Sequence, residues 1–451
     1  MTFRGMIRCF VLMSLWAGVA MGAVGDGAEG LLDEWFAKPE GGRGEVPKGL
    51  MEERLATAEE AEAAAKVVWE SYRKGAVALG WDKEIAVIPP TLEELKAMPE
   101  EARPRVGPST AEGGGKTMPY FLLAKGKKPE GGWPLFLSLH GGGSSGGTSG
   151  AQDWPVNTRE WQSQLALFER VYPENALYLI PRMADDNDGR WWFDYCQEIY
   201  QKMIRRALLF REVDPDRVMV MGISEGGYAA FRLPGNQPGV WAAAGAMAAA
   251  EPMDTSPPEN LMHTALRCDI GEQDTMFDRI GLARNYFKRM GELAKEYPKS
   301  YVHHLEVQEG RGHGIDYAGC APWMLTKTRD SRPKEILWKV QKLHNTLHRH
   351  HHWLALAEEP EKLPLVIHGR IEGQGVVISV KDGEGKAVDG VKLRVLLDDL
   401  LLDPGKPVSV TVNGVGVYED VPGRNVGVMA RTLAERGDPK MVFCAEVRIQ
   451  G

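Results

Sequence analysis

The chain has 451 residues, 43% of them hydrophobic and 26% charged, which is ordinary for a globular protein and too long for one average domain. A net charge of -8, with no Lys/Arg-rich run, argues against a nucleic-acid binder. The five cysteines include no C-x-x-C pair, so neither a zinc ribbon nor a dithiol redox centre is supported.

Residues 1–23 read as a signal peptide. Arg4 and Arg8 precede the apolar run CFVLMSLWAGVAMGA, which ends in small residues and is too short to span a bilayer comfortably. The expected location is secreted or periplasmic, with no membrane association after cleavage; an uncleaved anchor is the alternative. Cys9 leaves with this segment. Export would permit disulfides among Cys196, Cys268, Cys320 and Cys444, but their spacing selects no pairing. Residues 24–116 are expected to form a linker and an N-terminal helical extension. The linker, 24–47, is rich in Gly, Pro and charge; a helix follows over 51–80, where Ala and Glu dominate and apolar residues recur at helical spacing.

Over 117–360 the texture alternates. MPYFLLAK, WPLFLSLH, NALYLIPR, DRVMVMG, WAAAGAMAAA, TALRCDIG and YVHHLEVQEG read as strands, with helical segments such as YQKMIRRALLFREV among them. Such alternation predicts an α/β domain with a mostly parallel sheet and helices on both faces. Functional sites in such sheets lie at the carboxyl ends of the strands. After 360, apolar and polar residues alternate with period two, and Asn413-Gly414 separates two such runs, a type I′ hairpin signal. Residues 361–451 are expected to form a small all-β module, a sandwich.

The stretch GISEGG places Ser224 between the apolar run VMVM and the helix-like YAAF. A serine at a sharp strand-to-helix turn projects its hydroxyl above the sheet, and small residues two before and two after it relieve the crowding. A serine hydroxyl needs a base, and the base needs an orienting group. Asp274 follows the strand TALRCDIG and is the expected acid. Asp269 within that strand and Asp278, better suited to a helix N-cap, are its rivals. His313 lies between glycines after YVHHLEV and is the expected base; His303 and His304 lie in the strand and suit packing roles. The loop HGGG, 140–143, follows an early strand. Its amides, with that of Glu225, could stabilise an oxyanion. A flexible linker or a phosphate loop is the alternative, although no G-K-[ST] follows.

HGGG, GISEGG, GEQD and GHG in this order resemble the α/β-hydrolase superfamily over roughly 117–350. VDPDRVMVMGISEGGYAAFRL resembles secreted esterases of the polyhydroxybutyrate-depolymerase, feruloyl-esterase and dienelactone-hydrolase-like groups. The segment DPGKPVSVTVNG resembles the β tail of some bacterial members. The resemblance implies Ser224 as nucleophile, Asp274 as acid, His313 as base, and Gly142 and Glu225 as oxyanion donors. No metal or other cofactor is expected.

The segment RMADDNDGRWWFDYCQ should overhang this site. Arg190 could hold a carboxylate, and Trp191 and Trp192 could stack on a sugar or an aromatic acyl group. Alternatively one Trp is core and Arg190 pairs with a nearby acid. His344, His348 and His351 or His352 would share a face if LHNTLHRHHHWLAL were helical, which could bind zinc; a solvated junction is the plainer reading. The expected activity is a serine hydrolase acting on small-molecule or polysaccharide esters. A serine peptidase of prolyl-oligopeptidase type and a non-catalytic glycan-binding protein on the same scaffold are the alternatives.

Overall fold

Eight strands build the central sheet: β1 (Ser109–Gly113), β2 (Lys116–Lys125), β3 (Trp133–Leu139), β4 (Ala176–Pro181), β5 (Val213–Ile223), β6 (Ala243–Met247), β7 (Ala265–Gly271) and β8 (His303–Gln308). The computed structural model describes residues 24–99 and 107–450, so the expected signal segment, 1–23, lies outside the described residues. The strands run in the order β1-β2-β4-β3-β5-β6-β7-β8. The pairings β1–β2 and β2–β4 are antiparallel; all the others are parallel. The sheet is therefore mixed. β1 lies upstream of 117, where the catalytic unit was expected to begin.

β3, β4, β6 and β7 are buried at every position, as strands covered on both faces must be. Period-two alternation divides their side chains. Leu135, Leu137, Leu139, Val218 and Val220 pack with α4 (Asp194–Phe210), α5 (Glu225–Asn236) and α6 (Arg279–Glu296). Phe136, Tyr178, Met219 and Met221 face the other way, onto α3 (Pro155–Arg170) and α7 (Cys320–Leu325).

Residues 24–47 are not a linker. They contain helix α1 (Asp26–Phe36), whose buried Ala28, Leu32, Trp35 and Phe36 keep an i, i+4 stripe that the intervening glycines obscure. α1 packs on α2 (Ala58–Ala78), which packs in turn on a later helix, α8 (Val426–Arg436). α2 starts seven residues later than expected, at the Thr57 cap, whose side chain accepts from the Glu60 amide.

The C-terminal region holds two sheets around one apolar core. The first has the order β9-β12-β13-β15-β16, with β9 (Glu335–Val340), β12 (Leu365–Glu372), β13 (Gly375–Asp382), β15 (Val408–Val412) and β16 (Val415–Asp420). The second has the order β10-β11-β14-β17, with β10 (His350–His351), β11 (Leu354–Leu356), β14 (Leu393–Leu397) and β17 (Ala445–Ile449). Asn413 and Gly414, both at positive φ, turn β15 into β16. Two expectations need correction. β9, β10 and β11 extend this unit upstream of 361. It is also not all β: α8 follows the Asn425 cap, buries Val426, Met429, Ala430 and Leu433, and ends at a left-handed Gly437. The unit packs across the amino ends of the central strands, where Asn260 bonds Lys339 and Gln341 bonds Asn236. Among the described residues no helix is long and apolar enough to cross a membrane.

Candidate active site

Ser224 lies at the carboxyl end of β5, one residue before α5, with φ 53 and ψ -111. A non-glycine residue rarely adopts this backbone, and packing holds it here: the Ser224 amide donates to the Met247 carbonyl at 2.8 Å. A Cβ on Gly222 would collide with the Gly226 backbone, so the turn closes only with glycine there.

His313 Nε2 is 3.1 Å from Ser224 Oγ, and its Nδ1 is 2.7 Å from Asp274 Oδ2. The carboxylate accepts from Nδ1–H, which leaves Nε2 as the acceptor facing the serine hydroxyl. The imidazole side chain is 47% exposed, whereas that of Asp274 is 2% exposed. The structure thus brings the three expected residues into one hydrogen-bonded chain, with its acid end buried and its serine end open. The backbone ties their loops together, since the Gln273 amide donates to the Arg311 carbonyl at 2.8 Å. The rivals stand apart. Asp269 pairs with Arg267, and Asp278 precedes α6 without bonding its amides through its side chain. His303 bonds the Tyr301 carbonyl and His304 faces Glu306.

Sequence reasoning missed the support behind Asp274. Arg279 Nη1 donates to Asp274 Oδ1 at 3.0 Å, and its Nε donates to the Tyr228 hydroxyl at 2.7 Å. Both charges of this pair are buried. The second carboxylate oxygen is therefore held while the first serves His313. Arg279 stands five residues after Asp274 as an ordinary charge at a helix start, and nothing local marks it.

The glycine loop follows β3. Gly142 and Gly143 have positive φ. The Gly143 amide is taken by Asn157 Oδ1 at 3.0 Å, and Asn157 is fixed in turn by Asp186, which pairs with buried Arg182. Among the described residues, the amides of Gly141 and Gly142 have no protein acceptor, and the Glu225 amide opens α5 without an intrahelical one. His140 anchors the loop: its Nε2 accepts from the Met183 amide at 3.0 Å, so its Nδ1–H donates to the Gly141 carbonyl. Burial pushes this imidazole down to about 3 and keeps it neutral.

The overhanging segment divides. Trp191 is fully buried and donates to the His140 carbonyl at 2.9 Å, which removes it from the expected substrate contacts. Its side chain packs inward because the loop beneath it needs both an apolar cover and a donor. Arg190 pairs with Glu225 at 2.8 Å, and burial, partly offset by Arg190, holds that carboxyl above its usual range. Trp192 is half-buried under the Arg232 guanidinium, 4.0 Å from its ring, and Arg232 is held by Glu251. An apolar lip also overhangs the acid loop: Met276 is 62% and Phe277 74% exposed, and Phe277 has φ 55.

The histidine-rich segment is not helical. It forms short hairpins that include β10, and His344 and His352 have positive φ. No group of three His, Cys, Asp or Glu among the described residues is arranged to hold a metal ion. Cys196, Cys268, Cys320 and Cys444 are buried free thiols.

No family model and no curated protein matches the chain. Among solved structures, a thermostable esterase is similar at 19% identity and TM-score 0.36, over 49% of this chain and 63% of its own, so the chain spans less than two thirds of that protein. Thermogutta terrifontis esterase 2, phosphonylated by cyclosarin, is similar at 15% identity and TM-score 0.36, over 49% of this chain and 91% of its own. The BES protein from Bacillus cereus is similar at 12% identity and TM-score 0.31, over 46% and 89%. Scores of this size do not establish a shared fold, and the architecture of the sheet rests on its own strand order.

Proposed function

We propose that the protein is a serine hydrolase of the α/β-hydrolase type that cleaves carboxylic esters through an acyl-enzyme. One observation carries this reading: the continuous chain from Ser224 Oγ through His313 to Asp274 Oδ2, with the serine at a strained strand-to-helix turn.

Ser224 Oγ attacks the ester carbonyl carbon while His313 Nε2 takes the hydroxyl proton. Asp274 holds the resulting imidazolium through Nδ1–H. The amides of Gly142 and Glu225 receive the developing oxyanion. Collapse of the tetrahedral intermediate breaks the bond to the leaving alcohol, which takes the proton from His313. Water, deprotonated by the same imidazole, then releases the acid and regenerates the serine. Trp192 and the exposed Met276 and Phe277 offer an apolar rim to the acyl or alcohol part. The N-terminal signal pattern supports action outside the cytoplasm, where acylated polysaccharides are suitable substrates.

The test is a fluorophosphonate probe on the full chain and on Ser224→Ala, read by intact mass. One adduct on the parent and none on the variant is the expected result; an unlabelled, folded parent overturns the reading. A panel of p-nitrophenyl esters, acetylated xylan, feruloyl esters and aminoacyl amides then assigns the bond cleaved.

A further inference from the structure

A cavity of about 340 Å³ lies far from Ser224, against the amino ends of β5 and β6. It is lined by α4, the 237–241 loop, the 346–350 turn and the end of α8. Its volume falls within the usual ~300–1,000 Å³ of small-molecule sites. Ile204, Leu208, Val240 and Leu347 supply apolar walls, and Arg436 and His348 supply a polar end.

Arg436 is the unusual member. Its Nε and Nη2 are buried without a protein acceptor, and it forms no ion pair among the described residues. The nearby carboxylates are engaged elsewhere. Glu435 is held by Arg394 at 2.9 and 3.0 Å and faces His350 at 3.2 Å. Asp438 is held by Arg329 at 2.8 Å, and Arg329 also grips Asp216. Burial accordingly pulls the Arg436 guanidinium down to about 9. Trp241, 1% exposed, lines the same cavity, and its indole N–H has no acceptor among the described residues. A buried cation without a counter-charge is costly, and an anion in this cavity would relieve that cost.

We propose that this cavity is a second, non-catalytic binding site for a carboxylic acid with an apolar tail or ring. The carboxylate sits on the planar Arg436 fork and the hydrocarbon lies between Leu208 and Leu347. A single unpaired guanidinium matches a single negative charge. The mostly apolar wall disfavours a phosphate, which would need further cations inside; Arg349, the other guanidinium without a carboxylate bonded to it, is exposed. The proposal is independent of the role of Ser224.

The experiment uses full-length Ser224→Ala protein, so that no turnover intervenes. Octanoate and 3-phenylpropionate are titrated calorimetrically against their neutral twins, octanol and 3-phenylpropanol, and a crystal is soaked with the tighter acid. One acid per chain with density on Arg436 is expected. Arg436→Met should weaken that binding about tenfold or more. Leu208→Trp, which keeps the guanidinium and fills the cavity, should abolish it and serves if the methionine variant does not fold. Absence of acid binding, equal binding of the alcohols, or density only beside Ser224 overturns the proposal.

Discussion

His313 and the pair His351–His352 lie at opposite ends of the central strands and show opposite chemistry. Both ring nitrogens of His313 have partners, a carboxylate and a hydroxyl, and nearly half its side chain meets solvent. His351 and His352 are each 1% exposed, and neither ring nitrogen of His352 has a protein partner among the described residues. A partnered imidazole at the open edge can move a proton between fixed atoms. An unpartnered one in the seam can only stay neutral and fill space. Numbers of histidines point toward the seam; the partners of one histidine point toward the edge.

The largest expected effect tests that contrast directly. His313→Ala should lower kcat by roughly 10⁴-fold or more, and adding Ser224→Ala should cost little further, because the members of such a unit act together. Initial-rate measurements on single and double variants check this. Independent, multiplying losses would break the claim that the two residues form one device.

Trp191 sharpens the comparison from the side of stability. Its indole is buried and spans to the His140 carbonyl under the glycine loop. Trp191→Ala should destabilise the fold by about 3–5 kcal/mol, read as a lower urea midpoint. The opposite outcome, normal stability with a raised KM, would return Trp191 to the substrate.

How much of this was legible depended on how local each cause was. The strand-turn-helix around Ser224 carries its reason within a few residues: apolar run, two glycines, amphipathic helix. The acid and the base each follow a recognisable strand. α1 was hidden because glycines dilute its stripe, although Leu32, Trp35 and Phe36 carry it. The histidine run was misleading because its helical spacing is broken by turns, with His344 and His352 at positive φ. Arg279 was invisible because its meaning lies wholly in what it touches. Trp191 and Trp192 are identical neighbours, and only the tertiary structure assigns one to the core and the other to the rim.

Arg279 supplies a smaller and more specific effect. It touches Asp274, not the reacting atoms, so it acts by positioning. Arg279→Met should lower kcat by roughly 10–100-fold with KM little changed, in line with other residues that support a catalytic group from behind. Arg279→Lys should restore part of the loss, because one donor can still reach Oδ1. A variant that labels with fluorophosphonate at the parent rate would show that His313 alone fixes Asp274.

The smallest effect belongs to the seam. Burial holds His351 and His352 well below the ordinary 6.5, reinforced at His351 by His263, His348 and Arg436 and at His352 by His351, His263, Arg329 and Arg436. Around them are the His263 ring, 5.4 Å from His352, and Trp338, 6.0 Å from His351. In the folded chain these imidazoles stay neutral; in the unfolded chain they take up protons below about 6.5. The unfolded state therefore binds more protons, and stability falls as pH falls through that value, by at most about 1.4 kcal/mol per pH unit for each histidine. His352→Leu removes one such group. It should be neutral or stabilising by about 1 kcal/mol at pH 7.5, since two unpartnered buried nitrogens disappear with it. Between pH 6 and 5 its urea midpoint should fall less steeply than the parent's, by the equivalent of one proton. An unchanged slope would mean that His352 is protonated or partnered in the folded chain, and the contrast with His313 would then rest on exposure alone.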